Sequence, residues 1–191
     1  LALRALEVLA EKERDLAAEG TGFQGTPLEL TPERVEKGVS VCFWPGRMEE
    51  VLPEVYVDGA HNEDGVRAFL ESVAADGHEG GRHLLFAAAA DKDYPAMLRR
   101  IVDSGLFERL CIASMENHRR AAPDLLEQAL ADCPGFGGSA LQITRYGTVP
   151  EALRDMLAKR ESRETCRIYI AGSLYLVGEV KAALGQGGCG I

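Results

Sequence analysis

The chain predicts an α/β fold, a mostly parallel sheet with helices on both faces, and three observations carry that expectation. From residue 54 onward, short apolar runs alternate with helical-period segments of about ten to fifteen residues, the rhythm of βαβ units. The run Leu84–Ala89 is apolar without interruption, as a strand buried on both sides requires. With 191 residues, 46% of them hydrophobic and 27% charged, the chain suffices for one such core plus an appendage.

In chain order, Leu1, Leu3, Leu6, Val8, Leu9 and Leu16 fall near helical spacing, so residues 1–18 read as an amphipathic helix. Ala17–Pro27 carries four Gly and Pro residues in eleven positions and reads as a linker. Thr31, Pro32 and Glu33 form an N-cap, a first-position proline and an acidic first turn, opening a short helix to about Lys37. An edge strand is expected near Val39–Trp44. The main strands are expected at Glu54–Asp58, His83–Ala89, Arg109–Ser114, Leu141–Thr144 and Arg167–Ala171. Helices are expected at about His61–Ala75, Tyr94–Ser104, Arg120–Ala131, Pro150–Lys159 and Leu174–Leu184, before a flexible tail at residues 186–191.

Composition narrows the partners. Thirty acidic against 21 basic residues leave a net charge of −9, a poor basis for holding nucleic acid or an anionic membrane. No apolar run approaches the ~18 residues of a membrane span. Charges run through LALRALEVLAEKERD, where a signal peptide needs an apolar core, so a cytoplasmic location is expected. The five cysteines are odd in number and lack a C-x-x-C pair, which suits a reduced chain without structural zinc. Residue 1 is Leu and the helical pattern is already under way there, which reads as a piece of a longer protein.

Open parallel sheets bind ligands beyond the carboxyl ends of their strands, so the residues that follow each strand matter most. These are Asp58-Gly59-Ala60-His61-Asn62, then Asp91-Lys92-Asp93, then Glu116-Asn117-His118-Arg119-Arg120, and last Gly172-Ser173. Asp58 could accept ribose hydroxyls, and His61 and Asn62 could open an anion-binding helix start; equally, Asp58 or Asn62 could be a helix cap. Trp44-Pro45-Gly46-Arg47 is a turn delivering a guanidinium fork suited to phosphate. Lys92 could meet a carboxylate or phosphate, or sit in a solvated loop before an Asp93 cap. Ser173 could be an N-cap or part of a carboxylate nest. His118 with Arg119 and Arg120 is either an anion pocket or an ordinary charged helix start. The spread histidines lack metal-site spacing, so no metal ligand is expected. The sequence holds neither G-x-x-x-x-G-K-[ST] nor G-x-G-x-x-G after a strand, and so provides rim chemistry without a phosphate cradle, half of an active site.

Taken together, PGRME (Pro45–Glu49), YVDGAHN (Tyr56–Asn62), DKD (Asp91–Asp93) and AGSLYLVGEV (Ala171–Val180) resemble the C-terminal domain of folylpolyglutamate synthase/dihydrofolate synthase, in the Mur ligase superfamily. The likeness runs from about Gly38 to Leu184. It implies a Rossmann-like domain over 38–185, preceded over 1–37 by the last helix of an ATPase domain and a linker. It further implies an ATP-dependent ligase in which a carboxylate of dihydropteroate or a folate becomes an acyl phosphate and is attacked by the amine of L-glutamate. An N-terminal ATPase domain in cis would supply the P-loop and most Mg2+ ligands, so the 191 residues alone are expected to be inactive. By position, the resemblance implies that Arg47 would meet ATP phosphates, Asp58 the nucleotide, on its ribose side, and Asn62 the same cofactor. His61 and Ser173 would lie near the glutamate or acyl phosphate, and Lys92 would contact substrate. The chain departs from the family at Glu63, where Pro is common, and at Ala87–Ala90, where glycines are common. The alternatives are a peptidoglycan-precursor ligase acting on a UDP-MurNAc-peptide and a non-catalytic Rossmann-like binding module.

Overall fold

The computed structural model describes residues 2–18, 29–134, 136, 140–161 and 166–185. The chain divides into two compact units, Leu1–Trp44 and Pro45–Ile191. In the first, α1 (Ala2–Ala18) matches the expected helix. Helix α2 (Pro32–Ser40) starts where Thr31 Oγ1 accepts the Arg34 amide, with Pro at the first turn. It runs about three residues past the expected end at Lys37. The edge strand expected near Val39–Trp44 is absent: Val39 and Ser40 finish the helix, and Val41–Trp44 are exposed and unpaired in any sheet. Most of the linker and the 186–191 tail lie outside the described residues.

The second unit holds the sheet. Its strands are β1 (Glu49–Leu52), β2 (Val55–Val57), β3 (Gly81–Phe86), β4 (Arg109–Ala113), β5 (Gln142–Tyr146) and β6 (Cys166–Ala171). They lie in the order β1-β2-β6-β3-β4-β5. Only the β1–β2 pair is antiparallel; every other neighbouring pair is parallel. The edge strand is therefore Glu49–Leu52, hairpinned to β2 through a turn that places Glu54 at φ 61°.

Helices α3 (Glu63–Ala75), α4 (Tyr94–Ser104) and α5 (Pro123–Ala131) cover one face; α6 (Val149–Glu161) and α7 (Leu174–Ala183) cover the other. Strand side chains alternate between the faces. In β6, Tyr169 and Ala171 join Phe69, Met97 and Leu126 on the first, while Ile168 and Ile170 join Leu153, Met156 and Val180 on the second. Burial on both faces is what uninterrupted apolar strands anticipate. Helix α4 occupies its expected range because both ends are chemically marked: Asp93 Oδ1 accepts the Ala96 amide, and Gly105 takes the left-handed C-cap at φ 60°.

At the amino ends of the strands, Asp76 ties three elements together. It accepts the His78 amide at 2.9 Å, Arg82 at 3.3 Å, Arg167 at 3.1 Å and the hydroxyl of fully buried Tyr169. Burial alone would raise its carboxyl, but these donors outweigh it and hold the pKa down to about 2. A depressed carboxylate stabilises the fold above the unfolded pKa and loses that contribution as pH falls through the folded value. Stability is thus expected to drop by roughly 2 kcal/mol between about pH 5 and pH 1 on account of this group. Urea unfolding against pH tests it: Asp76→Asn should flatten the acid limb, and an unchanged limb would remove Asp76 as its cause.

Candidate functional site

Strand order decides which loops meet. Because β6 lies between β2 and β3, Gly172-Ser173 falls beside both the 58–62 turn and the 87–93 loop, residues far apart in the chain. The Asp58 amide continues the ladder to Ile170 O at 2.8 Å, and the Gly172 amide reaches Ala60 O at 2.9 Å. Gly172 has φ 122°, and a Cβ there would stand 2.4 Å from Ala87 O. Only glycine fits this crossing. Gly59 is less confined: a Cβ there would meet Leu174 Cδ2 at 2.3 Å, the end of an exposed side chain that can turn away.

Three of the expected residues line one cleft. His61, Lys92 and Ser173 border a cavity of ≈ 170 Å³ with Arg119 and Tyr175. The His61 ring meets Gly59 O through Nδ1 at 2.8 Å. A carbonyl only accepts, so Nδ1 carries the hydrogen. Ser173 Oγ accepts the Tyr175 amide at 3.1 Å and caps α7, so the cap and nest readings meet in one residue at a helix N-terminus. No carboxylate is among its lining residues; of its two cations, Arg119 is paired with Asp91 just outside the lining and Lys92 is the one without an ion pair among the described residues.

Asn62 does not line it. Its side-chain oxygen accepts the Gly65 amide at 2.7 Å, making it the N-cap of α3. Asp58 and Arg47 lie together on the β1–β2 side, with Arg47 Nη1 3.3 Å from Asp58 Oδ1. The turn before them is held by Glu49, whose Oε2 accepts the Gly46 amide at 2.6 Å and lies 2.6 Å from Lys181.

Arg119 comes from the segment read as either an anion pocket or a helix start, whereas nothing in the sequence pattern marked Tyr175 for the cleft. Helix α5 begins at Pro123 rather than Arg120, so His118–Arg120 is no helix start. The loop is instead stitched to the one after β3: Ala90 N donates to Arg119 O at 2.6 Å and Ala121 N to Ala88 O at 2.8 Å. Arg119 pairs with Asp91 at 2.5 Å, and that hydrogen bond holds the Asp91 carboxyl below its usual range. The strand-end rule marked this segment; the cross-loop pairing was the missing signal.

A doubly wound sheet whose strand-end loops converge on one cleft defines an α/β domain of the switch-point kind. More narrowly, the chain belongs to the Mur ligase family, matching the Mur ligase, glutamate ligase domain over residues 46–174. It is 28% identical over 81% of its length to dihydrofolate synthase/folylpolyglutamate synthase of Bacillus subtilis, and 27% identical over 83% to folylpolyglutamate synthase of Lacticaseibacillus casei. In each case it spans 34% of the relative, about a third of the length of these curated relatives. Among solved structures, it matches E. coli FolC in complex with DHPP and ADP at a TM-score of 0.67 and 19% identity, covering 83% of this chain and 35% of that one. A bifunctional folylpolyglutamate synthase/dihydrofolate synthase from Yersinia pestis, complexed with AMPPNP and Mn, matches at 0.66 and 23%, covering the same shares.

Proposed function

We propose that this chain is the C-terminal domain of an ATP-dependent ligase that joins L-glutamate to dihydropteroate or a folate through an acyl phosphate. The observation that carries the reading is the convergence of His61, Lys92 and Ser173, from three strand ends, on one cleft without a carboxylate. The relatives' names and the nucleotides in their solved complexes support it.

In this reading Arg47 faces the phosphates, where a guanidinium fork stabilises charge as it develops on the transferred group. ATP supplies the phosphoryl group that activates the substrate carboxylate. Lys92 and the α7 N-terminus at Ser173 hold carboxylates of the incoming glutamate. His61 Nε2 takes the proton that the glutamate ammonium must lose before its nitrogen attacks. Among the described residues no group of three His, Cys, Asp or Glu side chains is placed to hold a metal ion. As the family resemblance implies, an ATPase domain in cis would supply the ligands for Mg2+. Asn62 acts through the helix it caps. No helix among the described residues is long and apolar enough to cross a membrane, and the buried thiols of Cys111 and Cys133, not joined in disulfides, suit the reduced cytoplasm.

The test is an assay of the intact protein with ATP, L-glutamate and dihydropteroate, run beside a UDP-MurNAc-peptide. Ligation to the pterin substrate is expected, with no turnover from residues 1–191 alone. Use of the UDP-linked substrate instead, or no ligation at all, would overturn the reading.

A further inference from the structure

We propose that Glu179 is a positioning residue that holds the loop after β4 so that Arg119 stands at the cleft, an inference that rests on the ligase reading above. Glu179 lies on α7, about one turn beyond the cleft-lining Tyr175. Its Oε1 accepts the Glu116 amide at 2.7 Å, joining segments 63 residues apart. The other oxygen, Oε2, is buried and has no hydrogen-bond partner among the described residues. Burial pushes the carboxyl above its usual range; the Glu116 amide opposes that, and the like charge of the Glu116 side chain adds to it.

A carboxylate has roughly four acceptor sites, and burying one that meets a single donor costs stability. Leu176 and Val180, its neighbours along the helix, pack with Met115 in the apolar core, at whose margin an uncharged side chain would cost less. What the bond does is local to the loop. Just past Glu116 the chain turns: Asn117 Oδ1 accepts the Arg119 amide at 2.8 Å, and Asn117 O accepts the Arg120 amide at 3.0 Å. Arg119 O then accepts the Ala90 amide at 2.6 Å. Glu179 therefore fixes the start of the turn to the helix that begins at Ser173, and Ala90 fixes its far end to the loop that bears Lys92. Arg119 sits between these anchors. Glu116 itself is exposed, so without Glu179 its amide can turn to water and the anchored end of the loop is released.

Glu179→Gln keeps a carbonyl oxygen for the Glu116 amide and removes the charge. Glu179→Leu removes both and leaves a good helix former beside the apolar core; Glu179→Met, unbranched like Glu, is run with it in case a branched side chain packs badly. The apolar variants of the 191-residue chain should match or exceed the wild-type Tm, because a buried charge is relieved. In the intact protein they should raise the KM for L-glutamate roughly 5- to 20-fold with kcat within about twofold, while Glu179→Gln keeps the wild-type KM. A lowered Tm in both apolar variants, an unchanged KM in them, or a rise shared by Glu179→Gln overturns the proposal. Amide exchange of the 191-residue chain gives a readout free of ligation. The apolar variants should speed exchange at Glu116 and Arg119 about tenfold or more while Leu110–Ala113 of β4 stay as in wild type, and unchanged exchange at Glu116 overturns the proposal. If the intact protein ligates no glutamate, the ligase reading fails and the exchange rates still decide.

Discussion

On the proposed function, replacing Arg47 with Ala in the intact protein is expected to lower kcat by about 10²- to 10³-fold while the domain stays folded. The two halves of that expectation have separate physical grounds. Arg47 is half exposed, and its one ion pair among the described residues is a 3.3 Å approach to Asp58. An ion pair of that exposure contributes at most about 1 kcal/mol. Asp58 also retains the Met48 and Ala60 amides when the guanidinium is gone. The rate is more exposed to the change, since phosphoryl transfer depends on charge stabilisation and positioning more than on covalent chemistry from the protein. Arg47→Lys should recover part of the loss, because it restores the charge but not the fork. Steady-state kinetics alongside a thermal melt separate the two halves. An unaltered rate would take Arg47 out of the site; a collapsed melt would make it structural.

The sheet was readable because its central strands are fully buried, and burial on both faces writes an uninterrupted apolar run such as Leu84–Phe86. The edge was not. Strand β1 buries only Val51, and its hairpin turns on Glu54 with positive φ instead of an Asn-Gly or Asp-Gly pair, so neither periodicity nor turn chemistry announced it. In the site, His61, Lys92 and Ser173 were legible because the strand-end rule uses only their place after a strand. What local pattern could not convey is how backbone donors from other segments redefine a side chain. Asp58 receives the amides of Met48 and Ala60, and Arg119 is brought over the cleft by pairing between the β3 and β4 loops. Residue type indicates what a group can do, whereas its partners depend on the register of chain segments tens of residues away.

Gly172→Ala is the substitution expected to damage the domain most. At φ 122° an alanine is strained whatever the space around it, and here there is no space: its Cβ would meet Ala87 O at 2.4 Å and the Phe86 ring at 2.8 Å. Neither neighbour can yield cheaply, since Phe86 is fully buried and pairs with Ala171 in the β3–β6 ladder. Strain and displacement together are expected to cost roughly 3 kcal/mol, a large part of a total stability of about 5–15 kcal/mol. For a chain of this size that corresponds to a fall in Tm of about 6–12 °C. The site should suffer beyond the fold, because any shift that relieves the clash moves the Gly172 amide away from Ala60 O and carries Ser173 with it. Ser173 would then part from His61 and Lys92 on the cleft, so on the proposed function glutamate binding should weaken even at temperatures where the variant is fully folded. Calorimetric unfolding of the chain, paired with the glutamate KM of the intact enzyme, measures both effects. A variant with wild-type Tm and KM would mean that the three strand ends are not locked together at Gly172, and the cleft would lose its structural basis.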